Sequence, residues 1–405
     1  MMMIEGHRAI DPPPGVPVWD IDPYHSATLA DPAAYYAELR RLGPFVYIPR
    51  YAILACGRYA VTKEVFSDHT RFVSSRGVGL TDFSLEQPWR APSIILEADP
   101  PAHTKARRVM ARVMSPGAVT RLRARFAEHA ETLVEHVVRA GRVEAVTEIA
   151  EAYSVAVFPP AVGLRTIDQR ALVDYGAMVF DALGPDNTLR RTALAKAPQI
   201  VPWITAQCGR AMLDGEGFGG QIYAAADAGD LTATEAGLLV RSLLSAGVDT
   251  TVTAIGSALW ALSRFPDQFE RLRADPGLAR NAFEETLRLT SPVHSFCRTA
   301  GQSTTVAGID IEEGTKILCV LGAANLDPEQ WREPDRFDIG RRAGGHLAFG
   351  VGVHGCVGQN IARAEGEAIL TALANKVTRI APAGDAVWRP NNAIHALDRL
   401  PIELS

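Results

Sequence analysis

The chain is short of several features that mark other protein classes, and each shortage excludes something. Only five cysteines occur in 405 residues (Cys56, Cys208, Cys297, Cys319 and Cys356), an odd number without any Cys-x-x-Cys spacing. That excludes a disulfide framework and a zinc site and points to a reducing compartment. Length alone suggests two or three domains, but no Gly/Ser linker, repeat or low-complexity tract divides the chain, so 1–405 reads as a single domain with two lobes. The opening, MMMIEGHRAIDPPPGVPVWD, has no basic stretch leading into an apolar run and no spanning segment. The expectation is a soluble, cytoplasmic protein with no membrane partner. Positive charge is not in excess either: 41 Lys and Arg face 46 Asp and Glu, a net charge of −5, and no recognition motif is present. Nucleic acid is therefore a poor partner.

What the chain does have is apolar periodicity. Helical patterns cover roughly 118–140, 144–162, 167–183, 189–212, 233–265, 267–289 and 359–378, whereas β-type runs concentrate at 45–58 and 292–323. The expected fold is mainly α with a small β lobe. With 47% hydrophobic residues, the chain is able to bury a large core.

One stretch is chemically unusual: FGVGVHGCVG, Phe349 to Gly358. It presents a single thiol, Cys356, among glycines. A thiolate that ligates haem iron must approach the porphyrin closely, be protected from oxidation and sit among amide donors. Gly350 and Gly352 permit the turns and close approach that a Cβ would block, Phe349 is a flat apolar cover on the sulfur side, and Gly358 lets a helix begin against the macrocycle.

This loop resembles that of the cytochrome P450 family, and further segments carry the resemblance across most of the chain. EETLR holds Glu285 and Arg288, an i, i+3 acid–base pair standing 71 residues before Cys356, with WREPDRFD (Trp331 to Asp338) between. Alone, such a pair is an ordinary exposed ion pair; in the family it is a buried structural network. AGVDTT, Ala246 to Thr251, lies inside the longest apolar helical stretch, Leu238 to Leu262, expected as one long core helix. Asp249 is a poor helix-interior residue, so its plainer reading is a solvated or paired polar group. The resemblance implies instead that Asp249 and Thr250 are the catalytic acid–alcohol pair beside the oxygen site, with Asp249 relaying protons.

The resemblance further implies the cytochrome P450 fold, haem b (iron protoporphyrin IX) on Cys356 as metal ligand, and O2 as cosubstrate, with no NAD or flavin held by this chain. His103, Arg107, Arg298 and His354 match positions that clamp the two haem propionates, although each alone would read as a surface charge. The soluble bacterial members take electrons from a separate ferredoxin and its NADH-dependent reductase. From Lys105 to Arg125 there are seven cations (Lys105, Arg107, Arg108, Arg112, Arg121, Arg123, Arg125) and no acid. Such a run is either a solvated helix face or a dock for an acidic ferredoxin, extended by Arg341 and Arg342.

Residues 74–104, SSRGVGLTDFSLEQPWRAPSIILEADPPAHT, and LVRSLLSAG at 239–247 resemble the substrate segments of bacterial P450s that oxidise para-substituted benzoic acids such as 4-methoxybenzoate. Arg90, Ser93, Arg241, Ser242 and Ser245 are cationic or hydroxylic where an apolar pocket is expected, and a small aromatic carboxylic acid would satisfy them. Ser245 lies one helical turn, about 6 Å, before Asp249, and Arg241 about another 6 Å away. The resemblance gives the apolar walls as Leu96, Val179, Phe180, Leu183, Ala246, Val293 and Phe296. Leu183 stands where the relatives have phenylalanine, which implies room for a cinnamate. The alternative for Arg90 and Arg241 is pairing with nearby acids or propionates. A P450 acting on an unrelated small substrate, a haem-thiolate peroxygenase and a haem-based sensor are the competing functions; the peroxygenase would lack the Asp249/Thr250 relay.

Overall fold

The computed structural model describes residues 2–164 and 168–405. Its β lobe is a five-stranded sheet in the order Val46–Ile48, Ile53–Cys56, Lys316–Val320, Ser295–Ala300, Phe72–Val73. Strand Ser295–Ala300 runs antiparallel to Lys316–Val320, pairing Arg298 with Ile317 and Phe296 with Cys319. Period-2 alternation then sends Phe296 and Arg298 to one face of the sheet.

The helical lobe is built on Pro116–Ala140, Ala279–Thr290 and Gln359–Lys376, whose apolar faces close on one large core. Ala279–Thr290 also carries Glu285 and Arg288, both fully buried and joined by two hydrogen bonds of 2.8 and 2.9 Å. Arg288 reaches the carbonyls of Asn325 and Pro334 at 3.0 and 2.8 Å, and Arg341 donates to Glu285 at 2.9 Å. The network thus ties the chain leading to the cysteine loop onto the helix. It also corrects the expectation for Arg341, which is mostly buried in this network and does not extend a surface patch.

The single long helix expected over Leu238–Leu262 is two helices, Ala233–Ala246 and Asp249–Arg264. A capping box of Thr232 and Glu235 starts the first. At the break a Cβ at Gly247 would lie 2.2 Å from the Phe158 ring, so only glycine lets the chain pass. Thr250 Oγ1 then donates to the Ala246 carbonyl at 2.6 Å. The stretch 233–264 is the one segment among the described residues long and apolar enough to cross a membrane, and most of it is buried in this core.

Other helical expectations break as well. The pattern at 189–212 is divided into Thr188–Ala195, Ala197–Gln207 and a short turn, and that at 267–289 is cut at Pro276. Part of the 167–183 pattern, residue 167, lies outside the described residues. The helix Ala102–Val113 was hidden by its charge, although Ala106, Val109, Met110 and Val113 are its buried face. Lastly, Val387–Arg389 pairs with Ala396–Arg399, which lays Arg389 against the start of Asp249–Arg264.

Candidate active site

A cavity of about 250 Å³ is bounded by the broken helix on one side and the cysteine loop on the other. At the cysteine end the backbone dictates the geometry. Gly350 and Gly352 adopt φ of +65° and +74°, and a Cβ at Gly352 would meet Ser67 Cα at 2.9 Å. The Cys356 amide donates to Phe349 O at 2.7 Å, closing the loop so that the sulfur faces the cavity. Burial pushes the Cys356 thiol up, opposed by the Gly358 and Gln359 amides and by the charges of Arg107 and Arg363. Arg363 lies 4.6 Å over the Phe349 ring and is held by Glu284, which also accepts from His346 at 2.9 Å. Phe349 and Gly358 both line the cavity.

Of the four expected propionate partners, three line the cavity: Arg107, Arg298 and His354. Both ring nitrogens of His354 are buried without a hydrogen-bond partner, and its Nε2 stands 3.7 Å from Asp99, too far for one. Arg298 is buried, stacked 3.9 Å over Phe66. His103 stands behind: its ring is 4.5 Å from that of His354, and burial pulls it down to about 4, so it is neutral. A lone thiol facing unpaired cationic and imidazole groups across an apolar cavity fits a haem with two carboxylates.

Thr250 lines the cavity, whereas Asp249 points away from it. Asp249 is buried against Gly176 and its Oδ1 lies 3.4 Å from Arg389 Nη2. Burial pushes its carboxyl up, with Arg389 opposing. The next residue, Thr251, also faces the cavity, and beneath it Glu365 has two carboxyl oxygens without a hydrogen bond of normal geometry. Burial pushes Glu365 up to about 8 against the pull of the nearby Thr251 hydroxyl.

The end away from Cys356 is polar. Ser93 Oγ and Ser242 Oγ are 3.0 Å apart, and Ser245 and Arg90 join them in the lining. Arg90 donates to Glu97 at 3.2 Å, and Glu97 also accepts from the Ser93 amide at 2.6 Å. Leu96, Val179, Phe180, Leu183, Ala246, Val293 and Phe296 form apolar walls. Arg241 departs from expectation: it is buried outside the lining, donating to the carbonyls of Ala91 and Pro92 at 2.7 and 3.4 Å. Its guanidinium holds the loop that carries Arg90 and Ser93.

The family model for cytochrome P450 matches residues 277–391, which span the buried Glu285–Arg288 pair and the cysteine loop. Cytochrome p450 CYP199A2 of Rhodopseudomonas palustris is 49% identical over 96% of this chain and 95% of its own length. The chain belongs to the cytochrome P450 family. The monooxygenase PikC of Streptomyces venezuelae is 32% identical over 95% of this chain and 94% of its own. Among solved structures, the P450 CYP109Q5 from Chondromyces apiculatus superposes with a TM-score of 0.80 at 28% identity, covering 95% of this chain and 98% of that one. The protein is therefore a P450 monooxygenase, and membership carries haem, O2 and a redox partner with it.

Two features of this P450 were not expected from sequence: Arg389 partners Asp249 from 140 residues away, and Glu365 sits beneath Thr251. Only long-range packing brings them there, and no local pattern signals it. Glu97, seven residues after Arg90, is the nearby acid that the alternative reading gave Arg90, and it shares the polar end of the cavity. The basic run also differs from expectation: Lys105, Arg112 and Arg123 pair with Glu235, Asp230 and Glu367, and Arg107 turns inward to the Gly355 carbonyl. Arg108, Arg121, Arg125 and Arg342 remain exposed without an ion pair among the described residues.

Proposed function

We propose that this P450 inserts one oxygen atom from O2 into planar aromatic carboxylic acids at the group para to the acid, O-demethylating 4-methoxybenzoate and admitting cinnamates. The observation that carries the reading is the charge at the end away from Cys356. Arg90 and Arg241 contribute two positive charges and Glu97 one negative, leaving one uncompensated cation beside three cavity-facing serines. One substrate carboxylate neutralises it, whereas a neutral substrate leaves buried donors unpaired. The apolar walls then direct the far end of a flat ring towards Cys356.

Bound through Cys356, haem b supplies oxygen activation: O2, two electrons and two protons convert a substrate C–H to C–OH and water. For a methoxy group the product is a hemiacetal, which splits into the phenol and formaldehyde. The chain's own groups manage protons and position. Thr250 holds its hydroxyl at the cavity wall, and Asp249 behind it passes protons inward as Arg389 releases its carboxylate. Arg107, Arg298 and His354 would hold the propionates, with His103 buttressing His354. The electrons come from a ferredoxin and its NADH-dependent reductase, docking through the unpaired cations Arg108, Arg121, Arg125 and Arg342.

Binding of 4-methoxybenzoate to the holoenzyme, followed by the low-to-high-spin shift of the Soret band, tests this directly. The acid is expected to shift the spectrum and, with a ferredoxin system and NADH, to give 4-hydroxybenzoate and formaldehyde. Equal spectral affinity for the uncharged analogue lacking the carboxyl would remove the acid anchor.

A further inference from the structure

One buried cation has no place in the chemistry above. Lys316, in the strand Lys316–Val320, is fully buried, and its Nζ donates to three backbone carbonyls: Arg76 at 2.9 Å, Gly77 at 3.0 Å and Thr81 at 3.1 Å. An ammonium has three N–H donors, and here each has an acceptor. Burial pulls Lys316 down to about 8, with Asp82 and Cys297 opposing and Arg76 and Arg298 assisting, so it is charged at neutral pH.

The three carbonyls belong to one tight loop, residues 76–82, closed by the Arg76–Asp82 pair at 2.9 Å. Gly77 takes φ of +89°, and a Cβ there would lie 2.5 Å from Thr81 O, so the loop is wound round the ammonium. Its opposite edge grips the cavity walls. The Leu80 amide donates to Leu183 O at 3.1 Å, and a Cβ at Gly79 would stand 2.5 Å from that same oxygen. Val78 O accepts from the Cys297 amide at 2.7 Å, next to Phe296. Leu183 and Phe296 are both walls of the cavity. Behind Leu183, against Gly79 and Thr81, is a second cavity of about 20 Å³, so that wall is not tightly backed.

We propose that Lys316 is a positioning residue for substrate length: by fixing loop 76–82 it holds the Leu183 backbone at a set distance from Phe296 and so sets how long an acid the cavity accepts. The proposal rests on the aromatic-acid reading for its substrates but not for its mechanics. Charge-assisted bonds to three carbonyls are strong enough to order a loop, and their loss frees the Leu183 backbone; none of the three bonds involves Arg90, Ser93 or Glu97.

The test compares spectral dissociation constants of 4-methoxybenzoate and 4-methoxycinnamate for wild-type holoenzyme and Lys316→Met. The ratio is expected to move towards the cinnamate, longer by a two-carbon vinylene unit, by about tenfold, the low end of what even one added methylene is worth in an apolar pocket. In a Leu183→Ala background Lys316→Met should add little, because both act on one wall. An unchanged ratio with only a lower melting temperature, or fully additive effects, overturns the proposal. If Lys316→Met does not fold, Gly79→Ala strains the same contact and must change the ratio in either direction. Imidazole and 4-phenylimidazole, which ligate the iron without any carboxylate, separate the two readings. A shifted azole ratio with no response to acids sinks the acid substrate and keeps Lys316; an unshifted azole ratio sinks Lys316.

Discussion

The two ends of the cavity are assembled in opposite ways. The cysteine end is ten consecutive residues, Phe349 to Gly358, whose shape is set by two positive-φ glycines and one loop-closing amide bond. The acid end draws on two segments about 150 residues apart in sequence: Arg90, Ser93 and Glu97 from a loop, Ser242 and Ser245 from a helix. A backbone-made site is fixed by local residue type, so each position is required. A side-chain-made site is fixed by packing, so its members divide the work unequally.

The largest expected effect follows at the cysteine end. Cys356→Ala removes the one thiol facing the cavity, and the reduced, carbon monoxide-treated protein should lose the red-shifted Soret band of thiolate ligation entirely. Retention of that band would mean that another residue ligates the iron.

At the acid end the two arginines should separate. Arg90→Ala removes the charge that lines the cavity and should weaken 4-methoxybenzoate by about 10- to 100-fold, the range for a charged hydrogen bond left unmade. Arg241→Ala should loosen the loop through the Ala91 and Pro92 carbonyls, weakening the neutral analogue as well as the acid, and the acid further because the net positive charge of this end is lost. If Arg241→Ala is selective for the acid and Arg90→Ala is not, the assignment of the two is reversed.

This division explains what was legible in advance. The cysteine loop and the mainly helical fold come from local signals, glycine spacing and period 3.6, whereas the burial of the Glu285–Arg288 pair came from resemblance, because its i, i+3 spacing alone reads as an exposed pair. The substrate walls came from resemblance, and all seven apolar positions line the cavity. What stayed hidden was direction. Nothing in VRSLLSAG tells that Arg241 turns back towards Ala91, nor that the Phe158 ring occupies the Cβ space of Gly247, where the helix breaks. Asp249 was named by resemblance, but its partner Arg389 comes from a strand 140 residues on.

The relay between the two ends should give smaller effects on binding than on outcome. Thr250→Ala should bind the acid normally yet divert NADH to hydrogen peroxide. Asp249→Asn should slow turnover by about 10²-fold, since general acid–base groups contribute on that order. Normal product yield per NADH in Thr250→Ala, together with normal turnover in Asp249→Asn, would remove the relay.

The smallest effect concerns stability and contrasts two buried glutamates. At the acid end Glu97 is paired with Arg90; on the cysteine helix Glu365 is fully buried with no hydrogen bond of normal geometry. Burial raises the Glu365 carboxyl from 4.5 to about 8. Between those values the unfolded chain has lost this proton and the folded one retains it, so the fold becomes less stable as pH rises from 4.5 to about 8. Glutamine has the shape of the protonated acid and no proton to lose. Glu365→Gln should therefore match wild-type melting near pH 5 and exceed it increasingly towards pH 8, by about a few degrees for a chain of this size. Thermal melting of the two holoproteins across that range measures the difference. A gap that stays constant with pH would mean that Glu365 ionises normally inside the fold, and that the cysteine end, like the acid end, provides a partner for its buried charge.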